Sequence, residues 1–215
     1  RGDRRSDVIV TYVDGEGKSG QYFASLFAEQ NSIRADAIIS PFGFSSRIDR
    51  HIEKKGNPAS ILIVDDIVGT GESLASNLLQ FLRDNGEKLR QIKAPVTVVV
   101  LYATKEGIAR LNAEIEATPD ADVDVRYCRL LEPSDRAFTL EGDMWESQAE
   151  EDEAKALCED LGAKIYRDAP LGYGNQGLLV VFPDTCPNNS LPILHSEARP
   201  NSGVRWRPLF RRLTN

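Results

Sequence analysis

Methionine is nearly absent, at one residue in 215, and histidine occurs only twice. Two histidines, His51 and His195, leave too few ligands for a zinc cluster. Three cysteines, Cys128, Cys158 and Cys186, form no CxxC pair and leave one over. That usage fits a reducing cytosol and excludes a disulfide scaffold. Long apolar runs are missing too: residues 98–103 are among the longest, far short of the ~18 needed to cross a bilayer. No signal-peptide pattern opens the chain, so membrane and secreted classes are set aside and a cytoplasmic protein is expected. What remains, 41% hydrophobic and 27% charged, is the composition of an ordinary globular protein. A chain of this length can bury roughly 70% of its surface, enough for a core without staples.

A formal charge of −7 excludes a protein whose whole surface grips nucleic acid. The average conceals a gradient: residues 141–160 carry nine Asp/Glu and one Lys, whereas residues 195–215 carry five Arg and one Glu. The acidic stretch reads as a solvated helix face. The Arg-rich end, including Arg211 and Arg212, reads either as a phosphate or partner surface or as a segment packed through its arginine stems. Nucleic acid is the less favoured partner for it.

Apolar periodicity then gives a regular alternation as far as residue 131. Residues 8–13 (VIVTYV) read as a buried strand, followed by the Gly-rich DGEGKSG and a helix over about 20–31. Residues 37–40 are a second expected strand, stopped by Pro41, and Ser45 or Ser46 is placed to cap a helix ending near Gly56. Residues 61–64 (ILIV) are a third strand, running into DDIVGTGES and a helix that stops near Gly86. A fourth strand over 96–102, a helix carrying Ile108, Leu111 and Ile115, and a fifth strand over 123–131 follow. Cys128 and Cys186 are expected to be buried. The pattern predicts an α/β fold: a mostly parallel five-stranded sheet with helices on both faces. Right-handed crossovers put every strand's carboxyl end on one edge, and both Gly-rich segments follow a strand onto that edge. After residue 131 the rhythm changes to a long acidic helix over 143–162, with Ala154, Leu157 and Leu161 inward, and a short strand over 178–182. Residues 1–140 are thus expected as the core and 141–215 as a hood-like cap of the same domain.

The sharpest signal is Asp65-Asp66-Ile67-Val68-Gly69-Thr70-Gly71-Glu72-Ser73 at the end of an apolar strand. Backbone amides of residues 69–73 at a helix start form a concavity for phosphate, and the Thr70 and Ser73 hydroxyls add donors. The adjacent carboxylates are suited to accept hydrogen bonds from sugar hydroxyls. A generic strand–turn–helix accounts for Thr70 and Ser73 as capping residues but not for two adjacent acids. The segment resembles the 5-phosphoribosyl-1-diphosphate (PRPP) signature of the type I phosphoribosyltransferases, with Asp65, Asp66, Thr70, Gly71 and Ser73 matching position for position. The resemblance implies a 5-phosphate held by Val68, Gly69, Thr70, Gly71, Glu72 and Ser73, and ribose hydroxyls held by Asp65 and Asp66. It further implies a diphosphate, with Mg²⁺, at Asp14, Gly15, Glu16, Gly17, Lys18 and Ser19. The Mg²⁺ would sit mostly on substrate oxygens and water, with Asp65 and Asp66 in support.

Read alone, the 14–20 loop suggests a nucleotide P-loop, but that motif needs glycine at position 12, which is Tyr. Residues 41–59 take the family's flap position, with Arg47, Arg50, Lys54 and Lys55 either reaching phosphates or lining a solvated helix face. Lys105 is either a first-turn surface residue or, by the resemblance, a contact to the acceptor base. The Pro- and Asn-rich tail, with Asn188, Asn189 and Trp206, resembles a divergent phosphoribosyltransferase-like branch found in bacterial conflict and defence systems. There Asn188 and Asn189 are read as base contacts and Trp206 as a stacking ring, or all three as plain turn chemistry. The expected function is transfer of a phosphoribosyl group from PRPP to a nitrogen acceptor. The rival readings are a non-catalytic PRPP or nucleotide sensor, and an effector subunit contacting a partner protein, a second copy or nucleic acid.

Overall fold

The structure, a computed structural model, describes residues 4–15, 18–119, 122–139, 141–142, 144–183, 185–198 and 202–210. Glu16, Gly17, Arg199, Arg211 and Arg212 lie outside these. The chain divides into two compact units, Arg1–Leu130 and Leu131–Asn215. Among the described residues no helix is long and apolar enough to cross a membrane.

In the first unit, strands β1 (Val8–Thr11), β2 (Ser60–Val68), β3 (Val96–Ala103) and β4 (Val123–Leu130) form one parallel sheet in the order β1-β2-β3-β4. Helices α1 (Ser19–Gln30), α2 (Phe44–Lys55), α3 (Glu72–Ile92) and α4 (Lys105–Glu116) make the crossovers. Ile9, Ile61, Ile63 and Val98 are fully buried in the sheet. Side chains of this kind contribute about 1.5–3 kcal/mol each on burial.

The sheet has four strands where five were expected. Residues 35–37 form a 3-10 turn instead, and the expected second strand survives as a single parallel bridge, Val10 to Ile38. A hydrogen bond from the Ile39 amide to the Val10 carbonyl at 2.9 Å accompanies it. Between that turn and Pro41, which has no amide to donate, too few residues are left for a ladder. The bridge still fixes the winding. From β1 the chain steps outward to Ile38, then returns across β1 to β2 and continues the opposite way. The strand order therefore reverses between β1 and β2, and the carboxyl ends of those strands flank the crevice where open α/β sheets bind ligands.

Right-handed crossovers put α1 on one face and α2, α3 and α4 on the other. Side-chain contacts agree: the Phe44 and Phe81 rings meet edge to face at 5.0 Å, Ser45 donates to Asn85, and Lys88 pairs with Asp49. Among the described residues β4 is an edge strand, and Asp124, Arg126, Tyr127, Cys128 and Arg129 are exposed on it. Cys128 is thus exposed where burial was expected; Cys186 is buried.

Three helix boundaries also differ. Gly43, in the left-handed region at φ 68°, precedes α2 in place of a serine cap, and Ser46 bonds back to its carbonyl. Helix α3 runs through Gly86 to Ile92, because Asn85, Leu89 and Ile92 keep its buried stripe going. In the second unit α5 spans Gln148–Ile165, and its buried face is Glu151, Gly162 and Ile165, with Leu157 58% exposed. Gly162 selects that face, since a Cβ there would collide with the Pro170 backbone.

The second unit has a small core of Ala137, Leu171 and Leu191, lined by Phe138, Cys158 and Leu179 among others. A short helix, α6 (Pro192–His195), is the last among the described residues. The expected strand over 178–182 is only a pair of single bridges at Leu178, to Arg136 and to Ser190.

Candidate functional site

β2 continues through the two acids to Val68, because Ile67 and Val68 remain paired with Tyr102 and Ala103 on β3. The carboxylates therefore ride on the strand itself, which runs on to Val68 where the sequence pattern placed its apolar run over 61–64. Each acid also ties down the backbone ahead of it: Asp65 accepts the Asp66 amide and Asp66 accepts the Ile67 amide, both at 2.9 Å. Asp66 is buried and Asp65 half-buried.

Burial pushes the Asp65 carboxyl well above the usual carboxylate range, and the neighbouring charge of Asp66 adds to it. Burial also raises Asp66, against a lowering by hydrogen bonds from Asp65 and from the Ser19 hydroxyl at the start of α1. Asp14 is raised as well, by burial first and in part by Asp66. Three acids from two strand ends thus share one electrostatic environment, a grouping that residue spacing alone did not reveal. Asp14 also caps α1, accepting the Gly20 amide at 2.9 Å, and a Cβ at position 20 would collide with its carboxylate. Its other carboxylate oxygen, Oδ1, is buried and has no partner among the described residues.

Past the acids the chain makes its Gly69-Thr70-Gly71 turn. Gly71 adopts φ 77°, a left-handed conformation that favours glycine, and serves as the N-cap position of α3. No group of the described residues accepts a hydrogen bond from the amides of Thr70, Gly71, Ser73 or Leu74. Four donors at the start of a 21-residue helix are therefore open to an anion, with the helix dipole behind them. The exposed Ser73 and half-buried Thr70 add hydroxyls, and Glu72 reaches 3.9 Å from Arg110.

The remaining expected residues are placed as follows. Gly15 and Lys18 are exposed in the turn before α1, joined by a bond from the Lys18 amide to the Gly15 carbonyl, and the charge of Lys18 pulls Asp14 downward. Glu16 and Gly17 lie outside the described residues. Lys105 is exposed in the first turn of α4, at the same edge as the acids. Residues 41–59 are mostly the regular helix α2, held by buried Phe44, Ile48 and His51. Arg47, Arg50, Lys54 and Lys55 lie on its exposed side, and α2 runs back towards the amino end of β2. Lys54 and Lys55 lie in its last turn, where they complement the helix dipole.

In the second unit Asn189 is buried and donates to Gln176 and to the Tyr173 carbonyl, while Trp206 donates to the Ile193 carbonyl. All three bonds are internal supports of that unit. Sequence reasoning missed Thr104 and Gly107, which back the Gly69–Gly71 turn from the start of α4. Their only sequence signal is a threonine three residues before a glycine directly after a strand.

Among the described residues no group of three His, Cys, Asp or Glu side chains is arranged to hold a metal ion. The three acids fit a cation only in support: mutual repulsion leaves them short of positive charge, and Asp14 Oδ1 has a free acceptor site. A search of the curated proteins found no significant match to the chain. The PRTase-CE family model matches residues 2–212, nearly the entire chain, so the chain belongs to this family of phosphoribosyltransferase-like domains.

Proposed function

We propose that the chain binds PRPP together with Mg²⁺ and transfers its phosphoribosyl group to a nitrogen acceptor, releasing diphosphate. The observation that carries this reading is the set of open amides at Thr70, Gly71, Ser73 and Leu74 beside the carboxylates of Asp65 and Asp66, at the strand-order reversal. A phosphate nest flanked by paired acids suits a phosphorylated sugar.

In this reading the turn anchors the 5-phosphate, and Asp65 and Asp66 accept hydrogen bonds from the ribose hydroxyls. The acceptor nitrogen forms a bond to C1 as the C1–oxygen bond to diphosphate breaks, the electron pair leaving with the diphosphate. The transition state places positive charge on the ribose ring, so buried carboxylates beside it supply fixed negative charge where it develops. Anchoring both ends of the sugar phosphate positions C1 and supplies much of the rate. Lys18, with Asp14 and Ser19, would meet the leaving diphosphate, and a Mg²⁺ held there would help neutralise its charge. Lys105, exposed at the start of α4, would contact the acceptor base. The setting completes the proposal: a reducing cytoplasm, and a bacterial defence system as implied by the tail's resemblance.

A second reading, a PRPP sensor without turnover, is favoured by one feature. The Asp14 carboxylate takes the Gly20 amide, leaving the α1 end with one donor fewer for a departing diphosphate. Diphosphate release from Mg²⁺–PRPP, followed over a panel of purine, pyrimidine and amine acceptors and water, decides between the two. The transferase reading expects release with at least one acceptor and its loss in the Asp65→Asn, Asp66→Asn double variant. Saturable PRPP binding with no release for any acceptor contradicts it and supports the sensor.

A further inference from the structure

We infer that Thr104 is a positioning residue for the phosphate turn, a buried clamp that pins the turn's carbonyls behind it so that its amides face the ligand. The inference rests on the phosphoribosyl reading above. Thr104 directly follows β3 and is 1% exposed. Its amide donates to the Val68 carbonyl at 2.9 Å, and its hydroxyl donates to the Gly69 carbonyl at 2.6 Å. The same oxygen accepts the Gly107 amide at 3.0 Å. A threonine hydroxyl has a single proton, so the Gly69 bond consumes it and a lone pair serves Gly107.

Peptide planarity converts that bond into an orientation. In a trans peptide the carbonyl and the following amide point in opposite directions. With the Gly69 carbonyl held towards Thr104, the Thr70 N–H is aimed away from it, out of the protein interior. Pinning the Val68 carbonyl does the same for the Gly69 peptide. Two glycines permit the close approach: a Cβ at Gly107 would overlap the Gly69 oxygen, and one at Gly71 would sit 2.6 Å from the Gly107 oxygen. Thr104 also caps α4, a role that needs only the Gly107 bond. The bond to Gly69 is surplus to capping, and it is the one that sets the turn.

The test is calorimetric titration of ribose 5-phosphate into wild type, Thr104→Val and Thr104→Ser, with amide NMR spectra to establish folding. Thr104→Val keeps the shape and loses both hydroxyl bonds, and ribose 5-phosphate affinity is expected to fall at least about tenfold, whereas Thr104→Ser stays within about threefold of wild type. A folded Thr104→Val that binds as wild type does, or a Thr104→Ser as weak as the valine variant, overturns the clamp. A second measurement needs no variant. On titration of wild type the Thr70 amide resonance should shift strongly, and a Thr70 amide that stays put while ligand binds overturns the clamp alone. Wild type that fails to bind ribose 5-phosphate removes the phosphoribosyl reading and the clamp with it.

Discussion

In the proposed reading Asp65 is kept for ligand binding at a cost in stability. Its carboxyl and that of Asp66 are pushed up by burial, so the folded chain holds their protons to a higher pH than the unfolded chain does. The stability associated with the neutral form is complete below the ordinary carboxylate range. It is lost as pH rises through the raised folded value. Replacing Asp65 by Asn removes one of three mutually repelling carboxyls and keeps the shape. Asp65→Asn is therefore expected to raise the melting temperature of the ligand-free protein at pH 7.5 by about 2–4 °C, the shift that accompanies about 1 kcal/mol at this size. The gain should shrink as the pH falls towards the ordinary carboxylate range. Thermal melts across that span check it, and a gap between variant and wild type that does not change with pH contradicts it. The same substitution should weaken ribose 5-phosphate binding, as expected where a site is kept at the expense of stability.

Both acids and the turn were legible in the sequence because an apolar strand ending in two carboxylates is locally unfavourable unless something requires it. Asp14 was legible only as a member of a loop. Its shared environment with Asp65 and Asp66 comes from the side-by-side pairing of β1 and β2, which spacing along the chain does not encode.

At the scale of elements, strands with continuous burial were easy to place and helix ends were not. Gly86 reads as a helix stop, yet α3 passes through it, since one glycine costs a helix only about 1 kcal/mol and the buried stripe continues to Ile92. A Cβ at position 86 would meet only the flexible end of Arg90 at 3.4 Å. Gly86→Ala should therefore stabilise the protein by about 0.5–1 kcal/mol, read as an increased midpoint in urea unfolding. An unchanged or lowered midpoint would mean that the position is tighter than its surroundings indicate. The residue 37–40 strand failed for the opposite reason: its apolar residues are where a strand needs them, but Pro41 and the 3-10 turn leave no length for a ladder. In α5 the leucines suggested one face and Gly162 determined another, because close approach of the Pro170 backbone outweighs the burial of Leu157.

At the scale of the whole molecule, the alternation of strand and helix was enough to give a parallel α/β sheet, and right-handed crossovers then located the site edge. The placement of α2's basic residues was less legible. Charge alone cannot say whether Lys54 and Lys55 serve a ligand, whereas the direction of the crossover sends them to the other end of the sheet. Thr104 and Gly107 were invisible for a related reason. They act on residues 68–71 across the β2–β3 pair, a contact that exists only after the strands have aligned.

The most direct measurement is a crystal structure of the chain soaked with ribose 5-phosphate. The phosphate is expected within hydrogen-bond distance of the Thr70, Gly71 and Ser73 amides, with the ribose hydroxyls on Asp65 and Asp66. Sugar phosphate bound elsewhere on the molecule, with those amides and both carboxylates left untouched, would contradict the proposed site.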